Sequence, residues 1–289
     1  MSIHLCNAMT VDVEEHFQVQ AFAGCINRNE WDGFDSRVEA NVDRILEQFA
    51  NAGVRATFFT LGWIAERHKT MVRQIVAAGH ELASHGYDHT RADSQDPGAF
   101  RVDVGRSRRL LEDIGGVPVR GYRAATFSMN ACNQWAFGVL EEEGYAYSSS
   151  VNPISHDLYG MPNASRVPYR PDGKLCEIPM TTVRALGRNF PCSGGGYFRL
   201  LPYAAFRFGL SSVNQRGQAG VFYFHPWEVD PEQPRIANCG WKSHFRHYNN
   251  LSRTAHRLDS LLRDFAWDRM DHVFADWIDS SSRGLGNAA

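Results

Sequence analysis

Apolar positions along the chain switch repeatedly between a period of two and a period near 3.6. Cys6 to Val13 reads as a short strand running into charged residues. Val38, Val42, Ile45, Leu46 and Phe49 keep helical spacing, and Gly53 follows where a helix would stop. Arg55 to Leu61 is β-branched and aromatic, the pattern of a buried strand. Ile64 to Ala78 predicts a helix closed by Gly79, and His80 to Ser84 a third strand. A helix from Phe100 to Ile114 ends at Gly115-Gly116; a strand at Gly121 to Ala124, a helix from Asn133 to Glu143 and a strand at Tyr145 to Ser149 continue the alternation. Pro, Gly and Asn then dominate from Asn152 to Tyr203, predicting long ordered loops around one short strand, Leu175 to Pro179. Val221 to Phe224 is a late strand with His225 at its end, and Thr254 to Phe265 an amphipathic helix. The tail after Ser280 is expected to fray.

Strands alternating with helices of this length imply α/β architecture with a parallel sheet built by right-handed crossovers. Such sheets carry their chemistry at the C-terminal ends of the strands. Asp12, Glu14, His85, His89 and Arg123 all fall at or just past predicted strand ends. The pattern predicts one domain over 1–289: a core of about 5–150 and 175–230, a loop-rich insertion of about 151–203, and a C-terminal extension of about 231–280.

Composition narrows the function classes. A net charge of −2 argues against a nucleic-acid partner, because phosphate binding needs a basic face. No stretch approaches the ~18 apolar residues of a spanning helix, and the N-terminus lacks the cationic and apolar regions of a secretion signal. Cys6, Cys25, Cys132, Cys176, Cys192 and Cys239 show no CxxC spacing and are expected to be reduced thiols in a cytoplasmic protein.

Four stretches carry chemistry. In SHGYDHT (84–90), His85 and His89 stand four apart, a spacing that lets two imidazoles converge on one metal. Taken alone, HxxxH more often describes hydrogen-bonded surface histidines. In TVDVEEH (10–16), Asp12 and Glu14 project from one face of a strand between apolar valines. One carboxylate joining two histidines leaves an open coordination position, as catalytic metal sites do, and frees the second acid to act as a base. GYRAATFS (121–128) sets Arg123 at a strand end, where an arginine holds a neighbouring carboxylate charged and oriented. FYFHPWE (222–228) sets His225 where the chain leaves the sheet, a place suited equally to a general acid and to a structural histidine.

In this order the four stretches resemble the NodB-homology polysaccharide deacetylases, carbohydrate esterase family 4, over roughly residues 5 to 275. DVEEHF, YGMPNASRVP, SGGGYFRLLP, HPWEVDPEQPR and FRHYNNL make the chain most similar to a branch with extra C-terminal sequence, associated with bacterial exopolysaccharide and exosortase loci. The resemblance implies a distorted (β/α) barrel of about seven strands and one divalent metal ion, with zinc the expected one. It implies Asp12 as catalytic base, His85 and His89 as metal ligands, Arg123 as the residue that positions the base, and His225 as general acid. Three positions depart from the pattern. Val13 replaces the second of two adjacent aspartates, so Glu14 is the substitute third ligand. Ala125 stands in place of a proline, which is expected to loosen the loop after Arg123. Ser148 replaces an aspartate that orients the acid histidine.

The implied reaction is N-deacetylation of an amino sugar in a glycan, the substrate of this chain's cavity and its expected partner, with a precursor met at the inner membrane face. Trp227, Trp241, Tyr197 and Tyr248 are candidates to stack on sugar rings, and Glu228 and Arg235 flank the same loop. Two other readings compete: hydrolysis of a small cyclic amide on the same fold, and a glycan-binding homologue without activity, to which the three departures point.

Overall fold

Strand β1 (Cys6–Val13) is buried along nearly its whole length, as a strand covered on both faces must be. The computed structural model describes residues 5–171 and 173–280. After β1 the chain forms α1 (Val38–Ala52), β2 (Thr57–Thr60), α2 (Gly62–Arg67), α3 (Lys69–Ala77) and β3 (Glu81–Ser84). Next come α4 (Pro97–Gly115), β4 (Gly121–Tyr122), α5 (Trp135–Glu142), β5 (Tyr147–Ser148) and β6 (Cys176–Glu177). An antiparallel hairpin of β7 (Thr182–Ala185) and β8 (Arg188–Pro191) follows, then α6 (Gly195–Leu200), α7 (Tyr203–Asn214) and β9 (Val221–Phe224). The last elements that shape the site are α8 (Trp241–Tyr248), α9 (Leu251–Asp264) and β10 (Ala266–Asp268).

The main sheet runs β10-β1-β2-β3-β4-β5-β6, with β9 also against β1, and every pairing in it is parallel. Val11 stands opposite Phe58 on one side and Phe224 on the other, which places β1 at the centre of the apolar core. This is the distorted α/β barrel of about seven strands expected from the sequence, with eight parallel strands in the sheet among the described residues. The stretch before α6 lies along the free side of β9. There Tyr223 N donates to the Ser193 carbonyl at 2.7 Å and Gly194 bridges to Tyr223. Gly194 has φ 121°, and a Cβ on it would stand 1.9 Å from the Tyr223 carbonyl oxygen, so only glycine fits this seam.

Several elements differ from the sequence expectation. The helix expected from Ile64 to Ala78 is two, α2 and α3, broken at His68 (φ −120°, ψ 49°). The stretch expected to be loops from Asn152 to Tyr203 contains the β7–β8 hairpin and α6. The hairpin turns on Leu186 and Gly187, both with positive φ. A leucine in a left-handed conformation hides the usual Asn-Gly signal. The residues expected to form an extension beyond the core supply α8, α9 and β10, and β10 pairs with β1 inside the main sheet. The tail after Ser280 lies outside the described residues.

The expectation that all six cysteines are reduced thiols is overturned for two of them. Cys25 and Cys239 form a disulfide, with Cα atoms 5.8 Å apart and 214 residues between them in sequence. The contact arises because α8 packs on the N-terminal loop, where the Phe22 ring meets those of His247 at 4.7 Å and Tyr248 at 6.1 Å. Disulfides of this kind persist in oxidising compartments, which weighs against the cytoplasmic expectation. Removing such a bridge typically costs about 2–4 kcal/mol. Reduction is therefore expected to lower Tm by roughly 5–10 °C, read by calorimetry with and without reductant. No shift on reduction would sink the bridge.

A second expectation concerns acid. His80 Nδ1 accepts a hydrogen bond from Ala56 N at 3.0 Å, so the neutral ring is the one that fits. Burial, helped by Arg269 and Arg55, pushes its pKa down to about 4. A base depressed on folding contributes stability above its unfolded value near 6.5, and loses it as pH falls towards 4. The unfolding free energy from urea titrations should drop over that window by at most about 1.4 kcal/mol per pH unit on this account. The drop should be shallower in His80→Asn, which keeps an acceptor; equal slopes would exclude His80 as the cause.

Candidate active site

The predicted chemical residues converge at the C-terminal ends of the parallel strands. Asp12 is near the end of β1 and Glu14 just past it; His85 follows β3, Arg123 follows β4 and His225 follows β9. Asp12, Glu14, His85, His89 and His225 all line one cavity of about 530 Å³. That is within the usual ~300–1,000 Å³ range of ligand sites.

Local structure fixes each group. The loop carrying His85 and His89 is pinned to neighbouring strands and helices. His85 N donates to the Thr60 carbonyl at 3.0 Å, and Gly62 N and Trp63 N donate to the carbonyls of Gly86 (2.9 Å) and Tyr87 (2.8 Å). Ser107 Oγ and Asp103 hold the same loop from α4. His89 adopts φ 58°, an unusual conformation for a non-glycine residue and of the kind found at functional sites. The two histidines thus sit in a tight loop rather than on a helical turn, with ring centroids 5.4 Å apart.

Arg123 is completely buried. Its Nη1 donates to Asp12 Oδ1 at 2.6 Å and to Thr10 Oγ1 at 2.7 Å, its Nε to the Ser149 carbonyl at 3.1 Å and its Nη2 to Ser149 Oγ at 3.1 Å. The turn after it is not loosened by Ala125, because Ser128 N and Oγ both donate to the Ala125 carbonyl. Within that turn Thr126 has φ 56° and a buried hydroxyl without a partner, and it lines the cavity. The amides of Arg123 and Ala124 are bonded to Ser84 O and Ser150 Oγ, so neither is free to meet an oxyanion. Thr126 is the better candidate.

Glu14 sits between imidazoles. Its Oε1 accepts from His225 Nε2 at 2.9 Å. Burial alone would raise its pKa, but His89, His225 and His85 outweigh burial and bring it down to about 2. Glu14 Oε2 is buried with no hydrogen-bond partner, although His89 Nε2 stands 3.1 Å away. Burial drives His89 down to about 4 despite the pull of Glu14, so this contact joins a carboxylate to a neutral ring and is not an ion pair. His85 Nδ1 donates to the Arg123 carbonyl at 2.8 Å, which leaves its Nε2 lone pair free. An ionised carboxylate oxygen without a donor, beside the neutral His89 ring and His85 Nε2, is a donor set suited to a zinc-like divalent ion. Among the described residues, no group of three or more His, Cys, Asp or Glu side chains is already drawn into ligating geometry. Glu14 is bonded to His225 instead.

His225 is held from its other nitrogen as well, with Nδ1 2.7 Å from Glu228 Oε1. Burial would lower this ring, but Glu14 and Glu228 together push it up to about 10. Ser148, where an orienting aspartate was expected, bonds only to Ser150 Oγ and Glu177 and takes no part at His225. Of the four expected stacking residues, Tyr197 and Trp227 line the cavity. Trp227 is nearly buried, stacked between His225 at 5.0 Å and His247 at 4.1 Å. Trp241 and Tyr248 are outside it. Trp241 is 75% exposed, and the Tyr248 hydroxyl is spent on Ile236 N and the Pro234 carbonyl. His156, Tyr159, Phe245 and Arg246 line the cavity without having been singled out from sequence. His156 and Tyr159 lie in the Pro- and Gly-rich stretch before β6, and Phe245 and Arg246 on α8.

Residues 32–137 match the polysaccharide deacetylase family model, and residues 149–275 match a second family described as a domain of unknown function, DUF3473. Residues 32–137 of the chain thus form a NodB-homology polysaccharide deacetylase region. The peptidoglycan deacetylase of Helicobacter pylori is 28% identical over 114 residues, 39% of this chain and 38% of its own length. The peptidoglycan-N-acetylglucosamine deacetylase of Bacillus cereus is 29% identical over 73 residues, 25% of this chain and 26% of its own. The chain thus spans at most about two-fifths of these curated relatives. A solved Mycobacterium smegmatis protein, provisionally assigned as a polysaccharide deacetylase, shares the fold with a TM-score of 0.62. It is 21% identical, and the match covers 99% of this chain and 95% of that one.

Proposed function

We propose that this deacetylase-family chain is a divalent-metal-dependent hydrolase that removes N-acetyl groups from amino sugars of a bacterial exopolysaccharide or its precursor. One observation carries the reading: Asp12, bonded to Arg123, and His225 face the same cavity as Glu14, His85 and His89. A base and an acid flanking a metal-type donor set is what amide hydrolysis requires. The peptidoglycan deacetylases among the relatives support the glycan class.

Glu14, His85 and His89 would hold the ion, expected to be zinc, which when bound polarises the acetyl carbonyl and acidifies a water. Asp12 takes a proton from the attacking water as its oxygen bonds the carbonyl carbon, and Arg123 keeps the carboxylate aimed. The oxygen that gains charge faces the Thr126 turn. His225 delivers a proton from Nε2 to the leaving nitrogen as the C–N bond breaks, releasing acetate and the amine. Tyr197 and Trp227 form walls for the sugar.

The test combines metal analysis with acetate release. The purified chain, incubated with zinc, cobalt or nickel and dialysed, should retain about one ion per chain, and Glu14→Ala, His85→Ala and His89→Ala should each lose it. The loaded wild type should free acetate from a panel of N-acetylhexosamine oligomers. Opening of a cyclic imide with no acetate from any oligomer would replace this reading with the rival hydrolase. Retention of no ion would overturn the metal site.

A further inference from the structure

We propose that Glu228, itself locked by Arg199, is the positioning residue for His225, and that the half of the chain matching the domain of unknown function thereby builds the acid side of the site. This rests on the deacetylase reading above. A general acid of the imidazole type must present one defined nitrogen to the leaving group, so its other nitrogen needs a fixed partner. The family pattern seeks that partner at position 148, where this chain has serine, bonded elsewhere.

The 3₁₀ turn Pro226–Val229 supplies another. Glu228 Oε1 accepts from the His225 backbone N at 3.1 Å and faces His225 Nδ1 at 2.7 Å, so one oxygen sets both the main chain and the ring. Glu228 Oε2 accepts from Arg199 Nε at 2.6 Å, and both side chains are buried. Arg199, on α6, also donates from Nη1 and Nη2 to the carbonyls of Arg246, His247 and Asn249, between 2.7 and 2.9 Å. Trp227 covers the imidazole face at 5.0 Å with planes 14° apart. The ring is thereby fixed in position and tilt, with Nε2 turned to the cavity side, where it meets Glu14 Oε1 at 2.9 Å. Arg199, His225, Trp227 and Glu228 all fall within residues 149–275.

Two substrates separate positioning from stability. An N-acetylglucosamine tetramer needs its leaving nitrogen protonated; 4-nitrophenyl acetate releases a phenolate that does not. Glu228→Gln should lower kcat on the tetramer by about 10- to 100-fold with KM within about twofold, while ester turnover stays within about twofold. Glu228→Asp should recover part of the loss, and it carries the test alone if the glutamine variant does not fold. In metal-free protein, the ¹H–¹⁵N spectrum should show a strongly downfield His225 Nδ1 proton in wild type and lose it in Glu228→Gln. Equal losses on both substrates, or full tetramer turnover, would overturn the proposal. A wild type that cleaves neither substrate would sink the deacetylase reading instead, while the spectrum still reports whether Glu228 holds His225.

Discussion

Asp12→Asn is expected to lower kcat for acetate release by about 10²–10⁴-fold, the usual worth of a positioned proton acceptor. Asparagine keeps an oxygen for Arg123 Nη1 to bond, as it bonds Asp12 Oδ1 at 2.6 Å, so the fold should survive and circular dichroism should be unchanged. What is lost is the basicity facing the attacking water. His225→Ala should cost a comparable factor on amides, because the leaving nitrogen departs poorly without a proton. The measurement is steady-state acetate release by the metal-loaded protein, with metal content determined on the same samples. Near-normal turnover in both variants would remove Asp12 and His225 from the chemistry, whatever the cavity looks like.

These two residues, with Arg123, were legible in sequence because a parallel sheet makes strand ends into site positions, and each follows or ends a clear apolar run. His85 and His89 were legible for the same reason, although the tight loop that holds them was one of two geometries open to an HxxxH spacing. The left-handed backbone at His89 depends on bonds from Gly62, Trp63, Ser107 and Asp103, all distant in sequence.

Other features depended on tertiary contacts that no local pattern encodes. The partner of His225 was expected at position 148 from family pattern, whereas here it is three residues downstream on the same turn. HPWE displays that spacing openly, yet i,i+3 acids are common, and only the burial of Glu228 against Arg199 makes this one particular. The Cys25–Cys239 bridge spans two loops brought together by α8, a helix set between stretches that look aperiodic. Trp241 and Tyr248 show the opposite error. Aromatic residues in a motif-rich stretch suggested sugar contacts, but α8 turns Trp241 to solvent and uses Tyr248 as a strut.

Arg123→Met is expected to cost about 3–5 kcal/mol of stability as well as activity, because it leaves the buried Asp12 carboxylate without its counter-charge. The guanidinium also bonds Thr10 Oγ1 and the carbonyl and hydroxyl of Ser149 and lies over the Phe59 ring at 4.0 Å, and all of these contacts go at once. Tm should fall by roughly 10 °C. Arg123→Lys should be intermediate, since a single ammonium does not span Asp12 and Ser149 as a planar fork does. The decisive sample is the double variant Asp12→Leu with Arg123→Met, which removes both charges. It should regain much of the lost stability while remaining inactive, since the cost lies in the stranded charge and not in the missing pair. If Arg123→Met melts with the wild type, Asp12 is not stranded, and the pair does not organise the floor of the cavity.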